Sequence, residues 1–308
     1  MTSTTSPVGF IGLGNMGGRI ARRLVDAGYT VLGHDTRPEN VTACGASAAS
    51  SVAEVTRSCE VVLLSLPESK VVEAVVLGED GVLAHARDGQ TVIDLSTSAP
   101  ASTLRLHAQL AEKGATLLDA GISGGAAAAE QGTLTLMVGG DTGTLDQVRP
   151  LLAAFSAHVF PCGSTGAGHT AKLLNNFLNA VALSATAEVM VAGRKAGLDL
   201  QVLLDVLNTS SGVNFATRNR FPKIIHGDYL KGGLTNALMT KDVLAYVDLL
   251  AGLGVASPNS SAPLASFGLA LQLGYADDIS NTVVDAIGDV SGRVRIHDGA
   301  YDAGKDKS

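Results

Sequence analysis

The stretch from Val8 to Gly18, VGFIGLGNMGG, constrains the fold of this chain more than any other. Val8, Phe10 and Ile11 form a short apolar run. Gly12, Leu13, Gly14, Asn15, Met16 and Gly17 then spell the pattern G-x-G-x-x-G. After it, Ile20, Ala21 and Leu24 recur at helical spacing. Strand, glycine turn and helix in that order are the context in which this pattern holds a dinucleotide. The first glycine permits a tight turn, the second lets the backbone approach a pyrophosphate, and the third lets the helix pack close to the strand. The helix N-terminus offers free N–H groups and a partial positive charge to the phosphates. The bland alternative is a structural turn, in a chain that has 36 glycines. The next segment of the chain disfavours that alternative. A second strand, Thr30 to His34, ends in Asp35, where a ribose-binding acid is expected about 20 residues on.

A carboxylate at Asp35 accepts ribose hydroxyls and repels a 2′-phosphate, which favours NAD. Arg37 could hold that phosphate, so NADP stays possible. Glu60 to Leu66 reads as a buried parallel strand, stopped by Pro67. Gln90 to Leu95 is the next strand, followed by Ser96, Thr97 and Ser98. Ligands of an open α/β sheet lie beyond the carboxyl ends of its strands. Leu66, Pro67 and Thr97 are therefore expected at the cofactor, and the hydroxyls are also candidates to cap a helix starting near Pro100. Ala115 to Leu118 is a further strand, running into Asp119-Ala-Gly121-Ile-Ser123-Gly124-Gly125. Ser123 with Gly124 and Gly125 can form a backbone nest for a carboxylate. Thr133 to Val138 and Val159 to Cys162 look like the last strands, with a helix near Thr144 to Phe155 between them.

A length of 308 residues allows two domains, expected at 1–165 and 166–308. Aromatics are only 4% and Trp is absent, so the cores must be aliphatic and Ala-rich. A net charge of −7 argues against nucleic acid as a partner. No apolar run reaches about 18 residues, so no membrane span is expected. Cys44, Cys59 and Cys162 have neither metal nor redox spacing. That implies no metal and a reducing compartment, the cytoplasm, for a chain that starts on the polar tail MTSTTSP.

In the second half, GSTGAGHTAKLLNN, from Gly163 to Asn176, opens a long helix to about Lys195. Lys172 and Asn176 are four apart and share one helical face. Together they can meet one substrate oxygen and a carboxylate. Most lysines are simply exposed, but Leu174, Leu178, Val181 and Leu183 point to a largely buried helix. Leu200 to Asn208, Leu234 to Gly252, Ala262 to Leu273 and Thr282 to Ile287 read as further helices. Ser210 to Phe221 reads as a polar loop lining a pocket, and the tail after Arg295 as frayed.

Four segments in order carry a resemblance: GFIGLGNMGG, DAGISGG from Asp119, GSTGAGHTAKLLNN from Gly163, and MTKD from Met239 to Asp242. Through them nearly the whole chain resembles the β-hydroxyacid dehydrogenase family. The resemblance implies an α/β fold with an N-terminal Rossmann-like dinucleotide-binding domain, a long interdomain helix and an all-α C-terminal domain. It implies an NAD(P)-dependent enzyme that oxidises a small 3-hydroxy acid or reduces its semialdehyde, assembled as a homodimer or homotetramer. Residue by residue, it implies Lys172 as general acid/base and Asn176 as a substrate-holding amide. It implies Ser123, Gly124 and Gly125 as the carboxylate site, and Lys241 as a lysine reaching the cofactor. A lysine that serves as a base near neutral pH must have its ordinary pKa of about 10.4 lowered by its surroundings. One departure stands out. The family reads Asp-Ala-Pro-Val-Ser-Gly-Gly, and Gly121 replaces the proline here, which is expected to loosen the loop. His169 has no assigned role. Side-chain selectivity is expected near Ile122, Asn214, Phe215 and Asn219. The rival readings are an imine reductase, a class that generally lacks the lysine, and a 6-phosphogluconate dehydrogenase, for which His169, Arg218 and Arg220 supply basic groups. A non-catalytic cofactor-binding module is the third.

Overall fold

The computed structural model describes residues 6–230 and 232–297. Its contacts divide the chain into two compact units, 1–173 and 174–308. Of the polar tail expected at 1–7 and the frayed end expected after Arg295, residues 1–5 and 298–308 lie outside the described residues. Ile296 and His297 are not frayed but buried, Ile296 in the core of the second unit and His297 with its Nε2 2.9 Å from the Tyr229 hydroxyl.

The first unit is built on an eight-stranded sheet of order β3-β2-β1-β4-β5-β6-β7-β8. Its strands are β1 (Val8–Ile11), β2 (Val31–His34), β3 (Ser47–Ala48), β4 (Val61–Leu64), β5 (Thr91–Asp94), β6 (Thr116–Ser123), β7 (Leu134–Gly139) and β8 (Ser156–Gly163). Pairing is parallel except between β6 and β7. The helices are α1 (Gly17–Asp26), α2 (Pro38–Ala43), α3 (Val52–Ser58), α4 (Ser69–Leu77), α5 (Val82–His85), α6 (Pro100–Ala111), α7 (Gly125–Gln131) and α8 (Thr142–Leu152).

The two-residue period of a strand explains the double-sided core. Phe10, Leu63, Ile93 and Leu118 bury in one cluster with Ile20, Ala21 and Leu24 of α1. Their neighbours Ile11, Val62, Leu64, Val92 and Leu117 bury in a second cluster on the other face. A parallel sheet covered on both sides needs such continuous apolar strands. The register then aligns His34, Ile11, Leu64, Asp94 and Asp119 in one row across the sheet. The loops after β1, β2, β4 and β5 all leave from that row.

Helix α9 (Ala167–Lys195) begins in the first unit and continues into the second. The second unit is otherwise α10 (Leu200–Thr209), α11 (Phe215–Asn219), α12 (Phe221–Ile224), α13 (Asn236–Leu253), α14 (Ser261–Gln272) and α15 (Val283–Val290). Phe177, Ala180, Leu183, Ala187 and Met190 of α9 join Phe221, Met239, Val243, Phe267 and Val283 in its core. Among the described residues no helix is long and apolar enough to cross a membrane.

Three further expectations need correcting. Leu174 and Leu178 are not buried but 43% and 68% exposed, because the inward stripe of α9 runs through Leu173, Phe177 and Ala180 instead. Ser210 to Phe221 is not a plain loop. Asn214 caps α11, accepting from Ala216 and Thr217 N–H groups in a capping box. Gly121 is not in a loosened loop either. It lies inside β6, opposite Met137 of β7, because the strand runs on to Ser123.

Candidate functional site

The three glycines of the first turn do three different things. Gly12 has φ +87 and its added Cβ would sit 2.4 Å from the Ser65 carbonyl oxygen, so only glycine fits this crossing of loops. A Cβ on Gly17 would meet the Gly12 oxygen at 1.9 Å, which binds α1 tightly to the turn. A Cβ on Gly14 would meet nothing within 4 Å. That open backbone is where a pyrophosphate can approach. Met16 stands at the N-cap of α1 with no side-chain cap. Gly18 N–H is taken by the Gly14 carbonyl at 2.9 Å, and the positive end of the helix dipole at this turn favours an anion. Arg19 reaches back across the turn, donating to the Asn15 carbonyl at 2.6 Å and pairing with Glu130 at 2.7 Å. A cleft of about 470 Å³ opens here, lined among others by Gly14, Asn15, Arg19, Arg22, Arg37 and Asn40. These residues fit a dinucleotide.

Asp35 is more committed than the sequence suggests. It accepts from Leu13 N–H at 2.6 Å, from Arg37 N–H at 2.8 Å and from Asn40 Nδ2 at 3.0 Å. A carboxylate offers about four acceptor positions, so little more than one is left for a ribose hydroxyl. The same side chain thus ties the glycine turn to the start of α2.

Leu66 comes next to Gly12: the Gly12 Cβ position lies 2.8 Å from Leu66 Cδ2. Leu66 N–H donates to Ser96 Oγ at 2.9 Å, which draws the loop of Leu66 and Pro67 to that of Thr97. The serines do not cap α6. Its N-cap is Ala99 without a side-chain cap. Asp94 claims the loop instead, accepting from Ser96 N–H at 2.9 Å and from Ser98 Oγ at 2.9 Å.

Lys172 sits in a seat built by Asp119 and His169, residues that the sequence places nearby without giving them this role. Asp119, fully buried, accepts from Gly166 N–H at 2.7 Å and His169 N–H at 2.8 Å, so its carboxylate holds the first turn of α9. His169 is also fully buried. Its Nδ1 lies 2.7 Å from Thr103 Oγ1 and its Nε2 3.2 Å from the Asp94 carbonyl oxygen. The helix start is therefore joined to the loop that carries Thr97. Glycines make the approach possible. A Cβ on Gly168 would meet the Asp119 and Met137 oxygens at 2.4 Å, and one on Gly121 would meet Lys172 Cβ at 2.5 Å. Lys172 itself is only 8% exposed. Ser123 ends β6, and Gly124 and Gly125 follow with φ +124 and +68. Both left-handed glycines turn the backbone into α7.

In the second unit Asn176, buried, donates from Nδ2 to Asp242 Oδ2 at 2.5 Å. Only the NH₂ end of an amide can donate to a carboxylate, so Asp242 fixes which way Asn176 faces. Lys241 Nζ lies 3.0 Å from Asp242 Oδ1. Asp242 belongs to the MTKD segment, yet its partner is 66 residues away and nothing local points to it. Among the described residues no group of three His, Cys, Asp or Glu could hold a metal ion.

Comparison with known proteins agrees with this geometry. Residues 7–163 match the family described as the NAD binding domain of 6-phosphogluconate dehydrogenase. Residues 166–286 match that described as NAD-binding of NADP-dependent 3-hydroxyisobutyrate dehydrogenase. The chain is 39% identical to an NAD-dependent L-serine dehydrogenase of Pseudomonas aeruginosa, over 88% of this chain and 94% of that one. It is 36% identical to a 2-(hydroxymethyl)glutarate dehydrogenase of Eubacterium barkeri, over 77% and 79%. Among solved structures it resembles a 3-hydroxyisobutyrate dehydrogenase of Mycobacterium tuberculosis with L-serine, with a TM-score of 0.81, 31% identity and coverage of 92% and 99%. The chain belongs to the β-hydroxyacid dehydrogenase family and is an NAD(P)-dependent dehydrogenase of small hydroxy acids.

Proposed function

We propose that the enzyme acts on acids of the form HOCH₂–CHR–COO⁻, with Lys172 as the general acid/base. The observation that carries this reading is the seat of Lys172: a buried lysine held by a helix start that Asp119 and His169 fix in place. L-serine and 2-(hydroxymethyl)glutarate, named for two relatives, share that hydroxymethyl acid core. In oxidation Lys172 takes the hydroxyl proton, and in reduction it returns it. Bound nicotinamide supplies the hydride chemistry. Asn176, oriented by Asp242, gives its second amide N–H to the reacting oxygen. Ser123 with the backbone of Gly124 and Gly125 takes the substrate carboxylate. The left-handed pair of glycines supports that role. Lys241, paired with Asp242, is the lysine assigned to cofactor binding.

On this reading residues 1–165 are the cofactor domain and 166–308 the substrate and assembly domain. The two family matches, which stop and start at 163 and 166, support that division. The exposed Leu174 and Leu178 on α9 support a homo-oligomer that covers them. The free Cys44, Cys59 and Cys162 support a cytoplasmic setting. The test is NADH formation with L- and D-serine, 3-hydroxyisobutyrate, glycerate and threonate, each with NAD and NADP. Turnover is expected with at least one hydroxymethyl acid. No turnover of any of them refutes the reading, and light scattering at several concentrations reads the oligomeric state.

A further inference from the structure

The second unit holds a charge that the proposed reaction does not use. Arg220 stands between α11 and α12 and is largely withdrawn from solvent. Its Nη1 donates to Asn281 Oδ1 at 2.5 Å and its Nη2 to Asn179 Oδ1 at 3.1 Å. Its guanidinium carbon lies 5.8 Å from the centre of the Phe215 ring. Among the described residues no carboxylate pairs with it. Other arginines here differ: Arg295 has Asp289 at 2.6 Å, and Arg19 has Glu130 at 2.7 Å. Withdrawing a charge from water without a counter-ion is costly, and burial pushes the Arg220 guanidinium down to about 10. Two amide oxygens are a weak return for that cost.

The surroundings are built rather than accidental. Asn281 is itself buried and donates from Nδ2 to the Tyr229 carbonyl at 2.8 Å. That bond turns its oxygen toward Arg220. Asn179 follows Asn176 by three residues on α9, so the two amides share a helical face. At a rise of 1.5 Å per residue they are separated by about 4.5 Å along the axis. The guanidinium is therefore anchored one turn from the amide proposed to hold the reacting oxygen. A guanidinium has five N–H donors in a planar fork, and two are occupied. Phe215, 58% exposed, stands open beside it.

We propose that Arg220 receives a second anionic group on the substrate, at the end of the R arm of HOCH₂–CHR–COO⁻. A terminal oxyanion, carboxylate or phosphonate, completes the fork and supplies the missing counter-charge. The preferred substrates are then dianions with an arm of two or three carbons. This rests on the hydroxymethyl-acid reading and narrows it.

The experiment is steady-state kinetics of the full-length enzyme on a matched series. The arms are 3-hydroxyisobutyrate, 2-(hydroxymethyl)glutarate, its neutral terminal amide, and the analogue with a terminal phosphonate. The diacid should exceed its amide in kcat/KM by about tenfold to a hundredfold, the scale of a charged hydrogen-bonded contact, and chiefly through KM. The phosphonate arm decides which oxyanion the fork takes better. Arg220→Met should abolish the gap while leaving 3-hydroxyisobutyrate within about threefold, and Arg220→Lys should restore part of it. Equal kcat/KM for diacid and amide in the wild type overturns the proposal with no variant needed. So does an Arg220→Met enzyme that loses both substrates equally, since that is a structural role. Turnover of the monoacid without a diacid advantage sinks this inference alone. Turnover of no acid at all sinks the reading beneath it.

Discussion

Gly121 faces Lys172 at a distance that leaves no room for a side chain: a β-carbon on Gly121 would lie 2.5 Å from the lysine Cβ and 3.0 Å from its Cγ. The glycine sits in a strand, with Met137 opposite, so the neighbour cannot be avoided by a loop movement. The proline familiar at this place in the family would bring a Cβ to the same point. Gly121→Ala should therefore shift the start of α9 and cost about 1–3 kcal/mol of stability, as overpacking does. Turnover should fall by roughly 10- to 100-fold, since misplacing a reacting group by 1 Å costs on that order. NADH affinity should stay within about twofold, because the glycine turn is elsewhere in the unit. Thermal melts, NADH titration and kcat against KM read the three effects. Wild-type kcat in a folded Gly121→Ala enzyme removes the positioning role.

Much of the fold and site is legible in the sequence, and the exceptions have common causes. The glycine turn, the inward face of α1 and seven of the eight strands follow from local spacing, while the two-residue β3 is too short to show a pattern. Gly121 reads in sequence as a source of mobility, although a glycine within a strand more often marks a close backbone approach. Asp119 and Asp242 escape a sequence reading because their partners lie 47, 50 and 66 residues away. A side chain's type does not announce a bond that only the fold creates. Leu174 and Leu178 mislead for another reason. The true inward stripe of α9 includes Ala180 and Ala187, whose small side chains weigh little in a reading of hydrophobic pattern.

Asp35 carries a prediction about the cofactor. Its three bonds to Leu13, Arg37 and Asn40 make it a structural clasp, and reading the ribose is the role proposed for its remaining acceptor position. Asp35→Asn removes the charge that repels a 2′-phosphate and leaves one oxygen where there were two. NAD should bind more weakly, and the preference for NAD over NADP should narrow by about tenfold or more, equivalent to ~1.4 kcal/mol. Paired kcat/KM values for the two cofactors check it. A wild-type enzyme that uses NADPH as efficiently as NADH contradicts the assignment before any mutant is made.

Asp285 gives the pH dependence a sign. It is buried, and burial raises its carboxyl above the usual range despite the Tyr229 hydroxyl, Arg295 and His297, which act the other way. A carboxyl that holds its proton more tightly folded than unfolded favours folding while protonated. That contribution is complete below the unfolded value of about 3.9. It is lost as pH rises through the folded value. Asp285→Asn cannot titrate. The wild type should therefore lose Tm relative to Asp285→Asn as pH rises through this window and then level off. Melting curves of both proteins from mildly acidic to neutral pH measure the difference. A gap that is flat, or that widens in favour of the wild type, contradicts the sign.

Lys172 itself is tested by removal and by replacement. Lys172→Ala deletes the proposed proton carrier but not its seat. Asp119 still accepts from the Gly166 and His169 backbone, and His169 keeps Thr103 and the Asp94 carbonyl. The fold and NADH binding should persist, because Gly12, Gly14 and Gly17 act at the first turn. Turnover should drop by roughly 10² to 10⁴-fold, the range of a positioned acid–base group. Lys172→Arg should recover little, since a guanidinium stays protonated near neutral pH and cannot accept the hydroxyl proton. The arginine variant also separates charge from proton transfer. It keeps a cation at the site, so substrate KM should move less than kcat. Circular dichroism, NADH titration and initial rates on both variants give the answer. A folded Lys172→Ala enzyme that keeps more than about a tenth of its rate has lost no more than ~1.4 kcal/mol of transition-state stabilisation, too little for the group that moves the proton.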